Sequence, residues 1–226
     1  LVGDGAAYCW GYNERGQIGD GSHSDRTYPA PVFGALRFTE VEGGGQHTCG
    51  LASAGKLYCW GLNLSGQLGD GTTADRSTPT AVTGTLTFAS VSTGSVSTCA
   101  TAASGAAFCW GFNERGQLGD GSTTTRSSPT AVSGGLTFAS LAAGAFHTCA
   151  VTPGGEIHCW GENGDGQLGN DQTTGSSVPV KVVSSVVFAS VDVGHRHSCG
   201  VAADGRLYCW GGNAFGQLGL GDTASA

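Results

Sequence analysis

Short apolar runs and polar, glycine-rich stretches alternate along this chain, and the whole pattern returns at a fixed interval of 50 residues. In the stretch 88–138, Phe88-Ala89-Ser90-Val91 forms a β-prone run that stops at Gly94, and a second run surrounds Thr98-Cys99-Ala100. A third is Ala107-Phe108-Cys109-Trp110-Gly111; after a turn-rich segment from Asn113 to Gly121 and a polar loop to Pro129, a short fourth lies near Ala131-Val132. Short β-branched and aromatic runs bounded by Gly, Pro and Asn read as strands. Four of them per repeat make the blade of a β-propeller, so the pattern predicts an all-β chain. The expected organisation is one repeat domain over 1–226, with a partial blade at 1–40, blades at 41–90, 91–140 and 141–190, and a partial blade at 191–226. The ring is then partial or open, with about four to five blades.

The tripeptide Cys-Trp-Gly marks the third strand of each unit at Trp10, Trp60, Trp110, Trp160 and Trp210. A large ring recurring once per blade predicts core wedges between blades rather than ligand-stacking residues. Pro29, Pro79, Pro129 and Pro179 keep the same interval, and proline lacks the ladder donor, so the strand after each is assigned to the outer rim.

Composition narrows the function classes. Charged residues make up 12% of the chain, against about 25% in ordinary domains, so the surface is largely Ser, Thr, Gly and Asn. A net charge of −7, with ten singly scattered Lys and Arg, excludes a nucleic-acid or anionic-membrane surface, which needs clustered cations. There is no apolar run near the ~20 residues of a helical membrane span. The lack of any Met points to a processed or partial product.

Cys49, Cys99, Cys149 and Cys199 each precede a second cysteine, Cys59, Cys109, Cys159 and Cys209, by ten residues. Four positions before the second cysteine stands Gly55, Gly105, Gly155 or Gly205, with Gly5 equivalent in the first copy. This spacing predicts a three-residue hairpin loop, a type I turn followed by a left-handed glycine. Ala52 then faces Lys56, Leu51 faces Leu57, Gly50 faces Tyr58 and Cys49 faces Cys59. Opposed Cα atoms on an antiparallel pair lie about 4.5–5.5 Å apart, within disulfide range. Four hairpin disulfides follow; a zinc reading lacks Cys-x-x-Cys knuckles and has two thiolates per unit. Persistent disulfides imply an extracytoplasmic setting, whether periplasmic, cell-surface or secreted. Cys9 is left over, and its partner by the same arithmetic would precede Leu1, so the chain is expected to begin downstream of a missing cysteine.

These residues resemble the regulator of chromosome condensation repeat family. The family pattern is matched by Gly44 through His47-Thr48, by the hairpin Gly55, by Trp60-Gly61-Leu62-Asn63 and by Gly66-Gln67-Leu68-Gly69. The resemblance implies a propeller that serves as a rigid platform for macromolecules. The activities it brings range from nucleotide exchange on a small GTPase with chromatin binding, through ultraviolet sensing, to β-lactamase inhibition by a secreted bacterial relative of the fold. The paired cysteines depart from the nuclear members and look like secreted bacterial versions, which argues against the GTPase and chromatin roles.

In a repeat protein, function is exposed where symmetry breaks. The two positions after Gly44, Gly94, Gly144 and Gly194 vary freely, as Gly45-Gln46, Ser95-Val96, Ala145-Phe146 and His195-Arg196. With the turn residues Tyr12, Glu14, Arg15, Leu64, Phe112, Glu114, Arg115, Glu162, Asp165 and Phe215 they form the expected interaction set. His195-Arg196-His197 invites a metal reading with Asp192, but His197 shares the repeated position of His47 and His147, where a scaffold hydrogen bond is expected. Asp20-Gly21, Asp70-Gly71 and Asp120-Gly121 read as turns rather than calcium ligands. Nothing pairs an unrepeated nucleophile with a base, so no catalytic residue, metal or cofactor is expected. The leading expectation is a non-enzymatic module binding a protein or surface glycan. Its alternatives are a structural or accessory subunit that self-associates through open sheet edges, and a hydrolase or lyase at the channel mouth.

Overall fold

The computed structural model describes residues 1–225, and all of the regular structure there is β apart from one 3₁₀ turn at Ser53–Gly55. Five antiparallel sheets follow one another along the chain. The first pairs β1 (Tyr8–Gly11) with β2 (Arg26–Pro31). The second comprises β3 (Phe38–Gly43), β4 (His47–Ala52), β5 (Leu57–Gly61) and β6 (Arg76–Ala81). The third comprises β7 (Phe88–Thr93), β8 (Ser97–Ala102), β9 (Ala107–Gly111) and β10 (Arg126–Ala131). The fourth comprises β11 (Ser140–Ala143), β12 (His147–Val151), β13 (Ile157–Gly161) and β14 (Ser176–Lys181), and the last β15 (Phe188–Val193), β16 (His197–Ala202) and β17 (Leu207–Gly211). Each complete sheet is a simple meander, so the propeller blade read from the sequence is the observed unit. The strand opening each sheet starts at Phe38, Phe88, Ser140 or Phe188, so residues 88–90, for example, pair within the third sheet and not the second.

The hairpin register agrees with the sequence reading. Leu51 faces Leu57, Gly50 faces Tyr58 and Cys49 faces Cys59, and the Ala52 N–H donates to the Lys56 carbonyl at 2.8 Å. All four hairpins are cross-linked, Cys49–Cys59, Cys99–Cys109, Cys149–Cys159 and Cys199–Cys209, with Cα atoms 4.1 Å apart. One detail differs: in the first of these turns Ala54 as well as Gly55 is left-handed, with φ of 63° and 74°.

The outer strands need a correction. They begin before the prolines rather than after them, so Pro79, Pro129 and Pro179 lie inside β6, β10 and β14. Each sits where the register shifts, between Arg126 opposite Gly111 and Thr130 opposite Cys109 in the third sheet. A bulge on an edge strand requires no ladder donor there, which is why proline is accepted.

Tryptophan fills the seams between sheets. Trp60, Trp110 and Trp160 are fully buried. Their indole N–H groups donate to the carbonyls of Gln17, Gln67 and Gln117 in the preceding unit at 2.9, 3.0 and 2.9 Å. Trp210 makes the same bond to Gln167 at 3.0 Å while half-buried. Trp10 is the exception to the wedge expectation: it is 62% exposed, because among the described residues no sheet lies against that face of β1. Gly19, Gly69, Gly119 and Gly169, closing the first four Gly-Gln-Leu/Ile-Gly turns, lie against the indole of the next unit, and a Cβ on Gly69 would stand 2.6 Å from Trp110 Nε1 at a φ of +69°. We therefore expect Gly69→Ala to cost on the order of 3 kcal/mol, from left-handed strain plus overpacking, read as a lower urea midpoint than that of Gly134→Ala, whose added methyl meets open space.

The repeated histidines bind across the same seams. His47 Nε2 lies 2.9 Å from Thr98 Oγ1, and the Thr98 hydroxyl donates onward to the Gln67 carbonyl at 2.8 Å. The imidazole is thus the donor at Nε2. His147 repeats this with Ser198, at 2.8 Å, and the Gln167 carbonyl. Burial lowers both pKa values from 6.5 to about 4, and nearby His197 and His195 add to the effect at His147. The unfolded chain takes up these protons near pH 6.5, before the folded chain can. The stabilisation is complete above pH 6.5 and falls by roughly 3 kcal/mol per histidine as pH drops to 4. Urea midpoints at pH 7 and 4.5 are expected to differ less in His47→Gln/His147→Gln than in the parent chain.

Candidate functional site

The variable positions are held at one end of the blades by a repeated polar clamp. In the third unit Asn113 Oδ1 accepts the Leu118 N–H at 3.0 Å, and its amide donates to the Ser122 and Thr124 carbonyls at 3.1 and 3.0 Å. Asp120 binds Ser122 and receives Arg126 Nη2 at 2.8 Å. Asp20 with Arg26 and Asp70 with Arg76 do the same at 2.6 and 2.8 Å. Burial alone raises these carboxyls, but bonds from the neighbouring hydroxyl, amide and guanidinium outweigh it and hold Asp20 at about 2. These Asp-Gly turns are thus ion-pair locks. The fourth unit lacks the lock, having Asn170 in place of the aspartate and Ser176 in place of the arginine.

The clamp places the turn between the first two strands beside the loop between the last two. Backbone bonds tie them position by position: Leu62 N–H to the Gln46 carbonyl at 2.8 Å, Phe112 to Val96 at 3.0 Å, Glu162 to Phe146 at 2.9 Å and Gly212 to Arg196 at 2.8 Å. Residues that are scattered in sequence therefore share one face.

On this face three of the expected residues touch across three blades. The Phe112 and Phe146 rings meet edge-on at 6.3 Å, and Phe146 meets the His195 ring at 5.6 Å and 89°. Arg196, exposed, pairs with Asp165 at 3.2 Å. These two, His195 and the 94% exposed Phe215 border a cavity of about 580 Å³. Gln46 and Val96 are half-buried on the same face of earlier blades. Tyr12 and Arg15 belong to the first unit and are already engaged: the Tyr12 hydroxyl donates to Glu14 at 2.6 Å, and Arg15 pairs across the seam with Asp75 of the second unit at 3.5 Å. Arg115 is exposed beside a separate cavity with Glu114 and Glu162.

Sequence reasoning missed the carboxylates of the innermost strands. Glu40 accepts the Val91 N–H at 3.3 Å, shielding an edge donor of the next blade, and Ser92 does the same for Ala143 at 3.0 Å. Burial raises the Glu42 pKa, and the charge of Asp192 from a distant blade raises it further. The Glu, Ser, Ala, Asp series at 42, 92, 142 and 192 breaks symmetry as plainly as the turns do, and is the signal that could have found them. Among the described residues no three His, Cys, Asp or Glu side chains converge as a metal site.

The architecture has well-matched relatives. Human WBSCR16 superposes with a TM-score of 0.87 at 23% identity, over 98% of this chain and 61% of that one. Yeast RCC1 (Prp20), solved bound to Kap60, gives 0.84 at 21% identity, over 100% of this chain and 56% of that one. The ectodomain of the Physcomitrella patens receptor kinase CR4 gives 0.54 at 24% identity, over 80% and 40%. The chain thus spans 61% or less of the length of these structures. No curated protein matches it in sequence. The sequence profile of the regulator of chromosome condensation (RCC1) repeat matches residues 4–51, 54–101, 104–151 and 154–201, and a second profile of the same repeat matches 38–67, 138–167 and 188–217. With its blades, tryptophan seams and Gly-Gln-Leu-Gly turns accounted for across nearly its whole length, the chain belongs to the RCC1 repeat family.

Proposed function

We propose that this chain is part of an extracytoplasmic, non-enzymatic binding propeller that docks a protein on the face carrying Phe112, Phe146, His195 and Arg196. The observation that carries the reading is the aromatic run through three consecutive blades, built from positions the scaffold leaves free to vary. Rigid aromatic rings beside an exposed arginine are the side chains that dominate protein interfaces, since they bury large areas at little cost in conformational entropy. The fold is compatible with such a role: Prp20 is seen bound to Kap60, and the CR4 relative is an ectodomain. Four disulfides, three of them fully buried in the blades, support an oxidising compartment.

Two measurements test the proposal. A protein partner captured by cross-linking to the parent chain should bind Phe146→Ala/Arg196→Glu at least about tenfold more weakly, while Tyr28→Ala, exposed on the outer strand β2 of the first sheet, keeps its affinity. Undiminished binding by the double variant would remove the proposed face. Alkylation of freshly isolated protein should label Cys9 alone, rising to all nine cysteines only after reduction under denaturing conditions. Eight or more free thiols at the outset would end the argument for an oxidising location.

A further inference from the structure

The seam between the third and fourth units lacks a carboxylate that the equivalent seam between the first and second uses, and the lock beside it is missing as well. In the earlier seam Asp75 accepts the Asn63 backbone N–H at 2.8 Å and pairs with Arg15 of the preceding unit at 3.5 Å. One acid thereby satisfies a buried amide of its own blade and a cation from the blade before.

A hundred residues on, both donors are retained. Arg115 stands in place of Arg15, and Asn163, 1% exposed, in place of Asn63. The acid is not, because position 175 is glycine. Among the described residues Arg115 has no carboxylate partner, and the Asn163 N–H finds no acceptor. The neighbouring arginine position is Ser176, which removes a second bulky side chain. A cavity of about 460 Å³ opens at this place, bordered by Arg115, Asn163, Gly175, Ser176, Glu114 and Glu162.

We propose that this cavity is a carboxylate-recognition site, in which a ligand's carboxylate takes the place that the Asp75 side chain holds in the earlier seam. A buried N–H with no acceptor costs free energy comparable to a lost hydrogen bond, and a carboxylate between an amide donor and a guanidinium relieves that cost with two charge-assisted bonds. Glu114 and Glu162 oppose any anion there, so the ligand is held by directed bonds and not by net attraction. The shared chemistry is a carboxylate, supplied by an acidic side chain of a bound protein or by the uronic acid of a glycan. The inference rests on the loop face being the binding face, and it assigns that face a second contact beside the aromatic run.

The test uses two probes, N-acetyl-aspartate amide and methyl galacturonate, titrated into the ¹⁵N-labelled chain. Both are expected to move the Asn163 amide resonance downfield and saturably. The better binder identifies the source: aspartate for a protein partner, galacturonate for a glycan. Arg115→Gln should weaken the response at least tenfold, and Glu162→Gln should strengthen it severalfold by removing repulsion. Arg37→Gln, which breaks an exposed ion pair with Asp4 in the first unit, should leave it unchanged. Gly175→Asp should shift Asn163 without ligand and abolish the titration. Its Cβ would lie 2.7 Å from the Gly161 carbonyl, so should that variant fail to fold, the Arg115 and Glu162 variants decide. An Asn163 amide that ignores both probes overturns the site. So does one that responds to calcium chloride with a dependence on Glu162, which would mark a cation site. No partner is needed, so failure here leaves the aromatic face standing, whereas partner binding that ignores Phe146 and Arg196 removes that face alone.

Discussion

One backbone carbonyl per repeat, that of the glutamine in Gly-Gln-Leu-Gly, organises the propeller. It accepts two donors from the following blade: Gln67 takes the Trp110 indole at 3.0 Å and the Thr98 hydroxyl at 2.8 Å, and Gln117 takes Trp160 and Thr148, both at 2.9 Å. Both lone pairs are used, within a buried seam. A buried acceptor stripped of its donors is costly, so each seam closes in one arrangement. The remaining repeated residues serve this junction. Asn63 and Asn113 shape the loop that presents the carbonyl, the glycine two residues beyond it lets the indole approach, and the buried histidine steadies the hydroxyl that shares the acceptor. The hairpin disulfides then fix the two strands from which the tryptophan and the hydroxyl project, since Thr98 pairs with Trp110 one step from Cys99 and Cys109.

That rigidity also orders the loop face. A seam that admits a single geometry fixes where the variable turns fall relative to one another, so residues 34 and 49 apart, Phe112 to Phe146 and Phe146 to His195, meet edge to edge without any direct link between their loops. Under the proposed role, a surface prearranged in this way would lose little conformational freedom when a partner docks. The disulfides, the polar clamps and the aspartate–arginine locks all stiffen the structure on which the face is mounted.

The sequence disclosed whatever repeats. Cysteine spacing and a glycine four residues ahead of the second cysteine were enough to derive the hairpin register residue by residue, because a tight turn leaves one pairing available. Burial of the tryptophans followed from their recurrence, since a side chain needed by every blade belongs to the scaffold. The proline interval misplaces the outer strand, because a bulge on an edge lets the strand run through Pro129. Trp10 departs from the pattern for a related reason: recurrence assigns a residue to the seam but does not say whether a sheet lies on its other side. The inner-strand acids stand out only when positions 42, 92, 142 and 192 are compared across repeats.

The Arg115 cavity shows why single positions conceal what paired positions reveal. Gly175, taken alone, is one glycine among forty-one in a loop. Arg115 taken alone is a solvated cation, and Asn163 is a scaffold residue like its four counterparts. Their significance emerges only once the fold shows that Arg15, Asn63 and Asp75, spread over 60 residues, act as one unit across a seam. Within a propeller every seam is a control for every other, because backbone geometry is held nearly constant while side chains change. A donor pair kept while its acceptor is lost is therefore informative in a way that a variable loop is not. Ordinary drift would be expected to remove the arginine along with its partner, since an unpaired surface cation contributes little to stability.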